Sequence, residues 1–187
     1  MKIYLAGPEV FERDPIATGA SLKALCAKHG AVGLFAMDNA LSPSHPPASI
    51  AQASFIRAAD MSLIHACDAI VANVTPFRGP SVDVGTAYEM GAGAALGKVV
   101  VGYSKDQRTY VEKVKEARKV ERAEDGFLRD EEGMAVEEFG HEGGETGLVD
   151  NLMVACGLER LCRTPEEAII AALEIFRGGK EGVITLK

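Results

Sequence analysis

Four short apolar runs, at residues 2–6, 31–37, 68–74 and 99–103, alternate with segments whose apolar residues recur at helical spacing. A strand buried on both faces has no polar side, and Asp68-Ala-Ile-Val-Ala-Asn-Val74 is such a run. Ile16, Ala20, Leu22, Leu25 and Cys26 mark a first helix that stops at Gly30. Ser49 caps a second over 49–67, with Ile50, Ala53, Ile56, Leu63 and Ile64 along one stripe. A third runs from Asp83 to Leu96. The last opens at Thr164-Pro165-Glu166-Glu167, which reads as an N-cap, a proline at the first helical position and a capping-box glutamate, and continues to Phe176. Strands alternating with crossover helices imply right-handed βαβ units and a parallel sheet covered on both faces. Ligands then bind at the carboxyl ends of the strands.

With 187 residues, of which 47% are apolar and 25% charged, the chain is expected to form a single domain spanning residues 1–187. Its net charge of −7 opposes a phosphate backbone, so nucleic acid is not an expected partner. No apolar stretch is long enough to cross a membrane, and the N-terminal residues carry no secretory pattern. A cytoplasmic location is the expectation. Cys26, Cys67, Cys156 and Cys162 form no C-x-x-C pair and have no histidine at finger spacing, so they read as buried small side chains. No metal site and no cofactor are expected. Residues 105–145 hold 13 acidic and 8 basic residues without a long apolar run, and read as an exposed, charged helix-and-loop insertion. The residues leave open whether it is only a solvated face or a lid over a site. The proline-rich stretch at 42–47 reads as a surface loop.

Gly91, Gly93 and Gly97 fit neither a dinucleotide fingerprint nor a Walker loop, because they end a helix instead of opening one. Tight packing and a C-cap explain them. The acidic residues carry more information. Asp60, Asp83 and Glu89 fall close to segments that should meet at the carboxyl edge of the sheet, and Glu89 shares a helical stripe with Gly85, Thr86, Ala92 and Gly93. Small neighbours leave a carboxylate reachable by a bulky ligand. Such a group can attack a sugar's anomeric carbon and form a covalent intermediate; the plain alternative is a surface glutamate. Asp83 reads equally as an N-cap or as an acceptor for a sugar hydroxyl. Asp60 is either an exposed acid or a general acid that protonates a leaving group. Tyr4 belongs to a buried strand, so its hydroxyl needs a partner, and a carboxylate near the strand's end would serve.

Three segments resemble the nucleoside 2-deoxyribosyltransferase family: Lys2-Ile-Tyr-Leu-Ala-Gly-Pro-Glu-Val-Phe11, the stretch from Cys67 to Gly91, and Val149-Asp-Asn-Leu-Met153. The middle one holds the specific signature, D-x-G-x-x-x-E-x-G, in which Asp83, Gly85, Glu89 and Gly91 stand. The resemblance implies a flavodoxin-like three-layer α/β sandwich with a five-stranded parallel sheet. It implies that Glu89 is the nucleophile at C1′ of a 2′-deoxynucleoside, oriented by Tyr4, and that Asp60 faces the base. Asp83 would bind a deoxyribose hydroxyl. Asn151 would reach a sugar hydroxyl from a neighbouring subunit, making the protein a homo-oligomer. Gly7, Phe11, Arg78 and Gly85 complete the expected substrate-binding set. The partners implied are deoxynucleosides and free nucleobases, as in nucleoside salvage.

The activity expected first is transfer of deoxyribose between bases. A hydrolase releasing the sugar of deoxynucleosides or their 5′-monophosphates is the alternative, and a non-catalytic nucleotide-binding module the third. Asp83 at a helix entrance argues against a phosphate, whereas Arg78 and Ser81 could serve one.

Overall fold

Along β1 (Lys2–Ala6), Ile3 and Leu5 enter one hydrophobic core and Tyr4 and Ala6 enter another, as the two-residue period of a strand requires. This strand is flanked by β2 (Val32–Phe35) and β3 (Ala69–Asn73), and the sheet continues through β4 (Val99–Tyr103) to β7 (Arg160–Cys162). All four pairings are parallel, in the order β2-β1-β3-β4-β7. The computed structural model describes residues 1–38, 49–140 and 147–178. The proline-rich loop expected at 42–47 lies outside them.

Helices α1 (Pro15–Lys28) and α6 (Pro165–Gly178) cover the Ile3 face, while α2 (Ile50–Ala66), α3 (Val84–Ala95) and the short α5 (Leu152–Ala155) cover the Tyr4 face. The result is a flavodoxin-like three-layer sandwich. Its helix starts follow local chemistry. Asp14, Ser49 and Asp83 each accept a hydrogen bond from a backbone N–H of the first turn of α1, α2 and α3, contacts worth about 1 kcal/mol each. Thr164 caps α6 by accepting from Glu167 N at 3.2 Å. The Glu167 carboxylate, expected to close a capping box, instead accepts from Arg163 N, one residue earlier.

The glycines of α3 behave as packing and stop residues. A Cβ on Gly93 would lie 2.2 Å from Ile70 Cδ1, so its absence lets α3 lie close on β3. Gly97 has φ +68°, a left-handed conformation that ends the helix.

The charged insertion differs from the expected helix and loops. It contains α4 (Tyr110–Ala117), opened by a full capping box between Thr109 and Glu112, and then an antiparallel hairpin of β5 (Val120–Arg122) and β6 (Leu128–Asp130). Those strands escape a hydrophobic reading because they are three residues long and mostly charged. The edge strand β7 escapes it because it too is only three residues long. The cysteine expectation also needs correction. Cys26 and Cys67 are buried, but Cys156 is exposed at the end of α5 and Cys162 is half-buried; all four are free thiols. No described helix is long and apolar enough to cross a membrane.

Candidate active site

β1 aims Tyr4 into the layer between the sheet and helices α2 and α3, where its ring is fully buried. There its hydroxyl donates to Glu89 Oε1 at 2.6 Å. Glu89 reaches that point because α3 starts at Asp83, which turns residues 85, 89 and 92 toward one side of the helix. Burial raises the Glu89 carboxyl to about 7; the Tyr4 hydrogen bond opposes that rise, and the negative charges of Asp60 and Asp83 add to it. Burial and the adjacent Glu89 charge push the Tyr4 hydroxyl well above its ordinary value, so it remains a donor. Among the described residues, Glu89 has no hydrogen bond besides that of Tyr4, so Oε2 is left for a ligand.

The carboxylate faces a cavity of about 300 Å³ at the carboxyl edge of the sheet. Asp60 from α2 and Asp83 from the start of α3 line it too. Phe11, Met37, Phe55 and Ile56 supply an apolar wall. Three acidic side chains beside an apolar wall suit a neutral molecule with a flat, weakly polar part and several hydroxyl groups. A second, more open cleft of about 480 Å³ between α2 and α3 shares Ile56, Asp60, Gly85 and Glu89 with the first, so Glu89 is approached from two sides.

Asp83 combines both of its expected readings. Its Oδ2 accepts from Thr86 N at 2.9 Å and from Thr86 Oγ1 at 3.1 Å, capping the helix, while the residue still lines the cavity. Gly7, Phe11 and Gly85 line it as well. At Gly7 a Cβ would stand 1.9 Å from Glu9 Oε2 and at Gly85 3.0 Å from Asp83 Oδ2, so both glycines permit close approach of a carboxylate.

Arg78 and Asn151 are placed elsewhere. The Arg78 guanidinium lies over the rings of Phe77 and Phe11, 4.6 and 5.1 Å from their centroids, and the residue is not among the cavity walls. Its backbone takes φ 56°, an uncommon value for a residue with a side chain. The two rings are themselves stacked 5.5 Å apart. Ser81, considered for a phosphate, donates its hydroxyl to Asp150 instead. Asn151 caps α5 and bonds to Glu137, and it does not line the cavity of its own chain.

Phe55 and Ile56 were not singled out from the sequence. The available signal was spacing: Ile56 stands one helical turn before Asp60, so the wall and the acid share a face. Asp150, only 1% exposed, was also missed; its carboxylate accepts from Ser81 Oγ, from Val82 N at 2.9 Å and from Asn151 N at 2.7 Å. Among the described residues, no cluster of His, Cys, Asp or Glu is arranged to hold a metal ion.

Comparison with known proteins points the same way as the geometry. The family model for nucleoside 2-deoxyribosyltransferases matches residues 3–153. A solved 2-deoxyribosyltransferase from Leishmania mexicana is 34% identical and superposes with a TM-score of 0.69, covering 92% of this chain and 97% of that one. A conserved protein of Enterococcus faecalis shares the fold, with a TM-score of 0.57 at 21% identity over 93% of this chain and 98% of that one. An uncharacterized protein of Schizosaccharomyces pombe is 35% identical over 118 residues, which is 63% of this chain. The chain spans 56% of the length of that relative.

Proposed function

The chain belongs to the nucleoside 2-deoxyribosyltransferase family, and on that premise we propose that it transfers 2-deoxyribose from one nucleobase to another through a covalent bond to Glu89. The observation that carries this reading is a carboxylate held by a tyrosine hydroxyl, facing a cavity, with the carboxylates of Asp60 and Asp83 close enough to raise it further. Among the described residues Glu89 makes no ion pair and Tyr4 holds only Oε1, so its second oxygen stays available as a nucleophile.

In the first step Glu89 Oε2 bonds to C1′ as the C1′–N bond breaks, and that bond's electron pair goes to the departing base nitrogen. Asp60, on the cavity wall, supplies the proton that the base takes up, and Asp83 accepts from a sugar hydroxyl. In the second step Asp60 takes the proton from an incoming base, whose nitrogen attacks C1′ and frees Glu89. Two inversions give net retention. Tyr4 keeps its proton throughout and holds Oε1, so Oε2 presents its lone pair to the sugar. The apolar wall of Phe11, Phe55 and Ile56 holds the base and limits access of water to the glycosyl-enzyme, favouring transfer over hydrolysis.

The preferred substrate is an unphosphorylated nucleoside. Three acidic groups line the cavity, the Ser81 hydroxyl is engaged by Asp150, and the Arg78 guanidinium lies against two phenyl rings. Asn151 acts in a neighbouring subunit, in keeping with its absence from the cavity of its own chain.

Incubation with deoxyinosine and adenine, followed by chromatography, tests the reading. Deoxyadenosine and hypoxanthine are expected to form together, and Glu89→Ala to abolish both. Free deoxyribose released at the same rate with and without acceptor base identifies a hydrolase instead.

A further inference from the structure

The amide of Asn151 is fixed at both ends. Oδ1 accepts from Met153 N at 3.0 Å, and Nδ2 donates to Glu137 Oε1 at 2.6 Å. The second oxygen of Glu137 accepts from Leu152 N at 2.8 Å. A carboxylate only accepts and a backbone N–H only donates, so the amide has one orientation compatible with both partners. Among the described residues one N–H of Nδ2 and one lone pair of Oδ1 stay unused, and these are what a sugar hydroxyl needs as acceptor and donor.

Glu137 is itself carried on a braced segment. Val136 N donates to Leu128 O at 2.8 Å, Ala135 bridges to Arg129, and Glu138 binds Arg122 Nη2 through both oxygens at 2.9 and 2.8 Å. The β5–β6 hairpin of the charged insertion thus acts as a bracket. On the other side, Asp150 ties the Asn151 backbone to Ser81 and Val82, the residues leading into Asp83.

We propose that Glu137 is a positioning residue of the transfer reaction, a carboxylate on the insertion that holds the Asn151 amide where it meets a sugar hydroxyl of the substrate in the neighbouring subunit. This rests on the reading of Asn151 as a sugar-binding residue that acts across a subunit boundary. It gives the insertion a role other than a solvated face or a lid. A carboxylate that merely caps α5 would contribute stability and leave substrate affinity untouched.

Steady-state base exchange and thermal melting of Glu137→Ala, Glu137→Gln, Asn151→Ala and the Glu137→Ala/Asn151→Ala double variant separate these roles. Glu137→Ala is expected to raise KM for the deoxynucleoside about tenfold with kcat within about threefold. Glu137→Gln falls between, since one carbonyl must serve two donors. The double variant is expected to be no worse than Asn151→Ala, because Glu137 acts through that amide. Mixing Glu137→Ala with Glu89→Ala chains creates sites that pair an intact Glu89 with an intact Glu137 and Asn151, so activity at low substrate should exceed the sum of the separate chains. A raised KM in Asn151→Ala with an unchanged KM in Glu137→Ala overturns the positioning role alone. Mixed oligomers that form without recovering activity overturn it as well. An unchanged KM in Asn151→Ala removes the reading of Asn151 and the inference with it.

Discussion

Two tyrosine–glutamate pairs stand on opposite faces of the same sheet, Tyr4 with Glu89 and Tyr103 with Glu9. Their hydrogen bonds are alike, at 2.6 and 2.8 Å, and both tyrosines are buried. Their surroundings differ. Glu9 is 8% exposed, its Oε1 also accepts from Asn73 Nδ2 at 2.7 Å, and its Oε2 packs against Gly7, where a Cβ would stand only 1.9 Å away. Glu89 has a single donor and an oxygen facing a cavity. The same chemical pair therefore ties the turn after β1 to the ends of β3 and β4 in one place and forms a poised nucleophile in the other. What separates them is acceptor capacity left over and space beside it.

The sharpest break in this comparison is in activity. Glu89→Ala is expected to lower base exchange by at least about a thousandfold, while Glu9→Gln, which keeps an acceptor for Asn73 and Tyr103, stays within about threefold of the parent chain. Chromatographic rates on the two variants check this. Equal losses would show that the cavity does not distinguish the pairs.

A pH profile sharpens it next. Glu89 attacks as the carboxylate, so kcat/KM should show an ascending limb with pH centred near 7, the value to which burial lifts this group. Tyr4→Phe removes the bond that favours the ionised form and should move the limb to higher pH. Glu9→Gln should leave it in place. A limb unmoved by Tyr4→Phe would separate Glu89 from the titration.

The smaller effects are in stability. Glu9→Ala strands two buried donors and should cost about 2–3 kcal/mol in denaturant unfolding. Glu89→Gln should do the reverse. Because the folded carboxyl is raised from 4.5 to about 7, the native state holds the proton more tightly, and stability falls as pH increases through that window. Replacing the group by an amide removes this loss, a gain of about 1–3 kcal/mol at pH 8 that vanishes near pH 4.5. Melting curves at the two pH values test it, and an equal shift at both would remove the ionisation argument.

How much of this was legible in the sequence depended on whether the information was local. Ile3 to Ala6, Ile70 to Ala72 and the caps Ser49, Asp83 and Thr164 announced their elements because burial on both faces and the first helical turn leave a signature within a few residues. Arg160 to Cys162 left none because three residues are too short for a period and the partner strand β4 is distant in sequence, and the β5–β6 hairpin left none because its strands are three residues long and mostly charged. The site divides in the same way. Glu89, Asp83 and Asp60 could be found because small neighbours and helix boundaries surround them. Arg78 gave no sign that it would lie on Phe11 and Phe77, and Asp150 and Glu137 gave none of holding the segments that carry Asp83 and Asn151. Those contacts exist only after the chain has closed on itself.

Mass spectrometry of the protein, acid-quenched after incubation with a deoxynucleoside and no acceptor base, tests the central claim most directly. One deoxyribosyl group on the peptide containing Glu89, removed when a free base is added before quenching, is the expected result. The same group on Asp60 or Asp83, or a Glu89 peptide unmodified while another peptide carries the sugar, contradicts it.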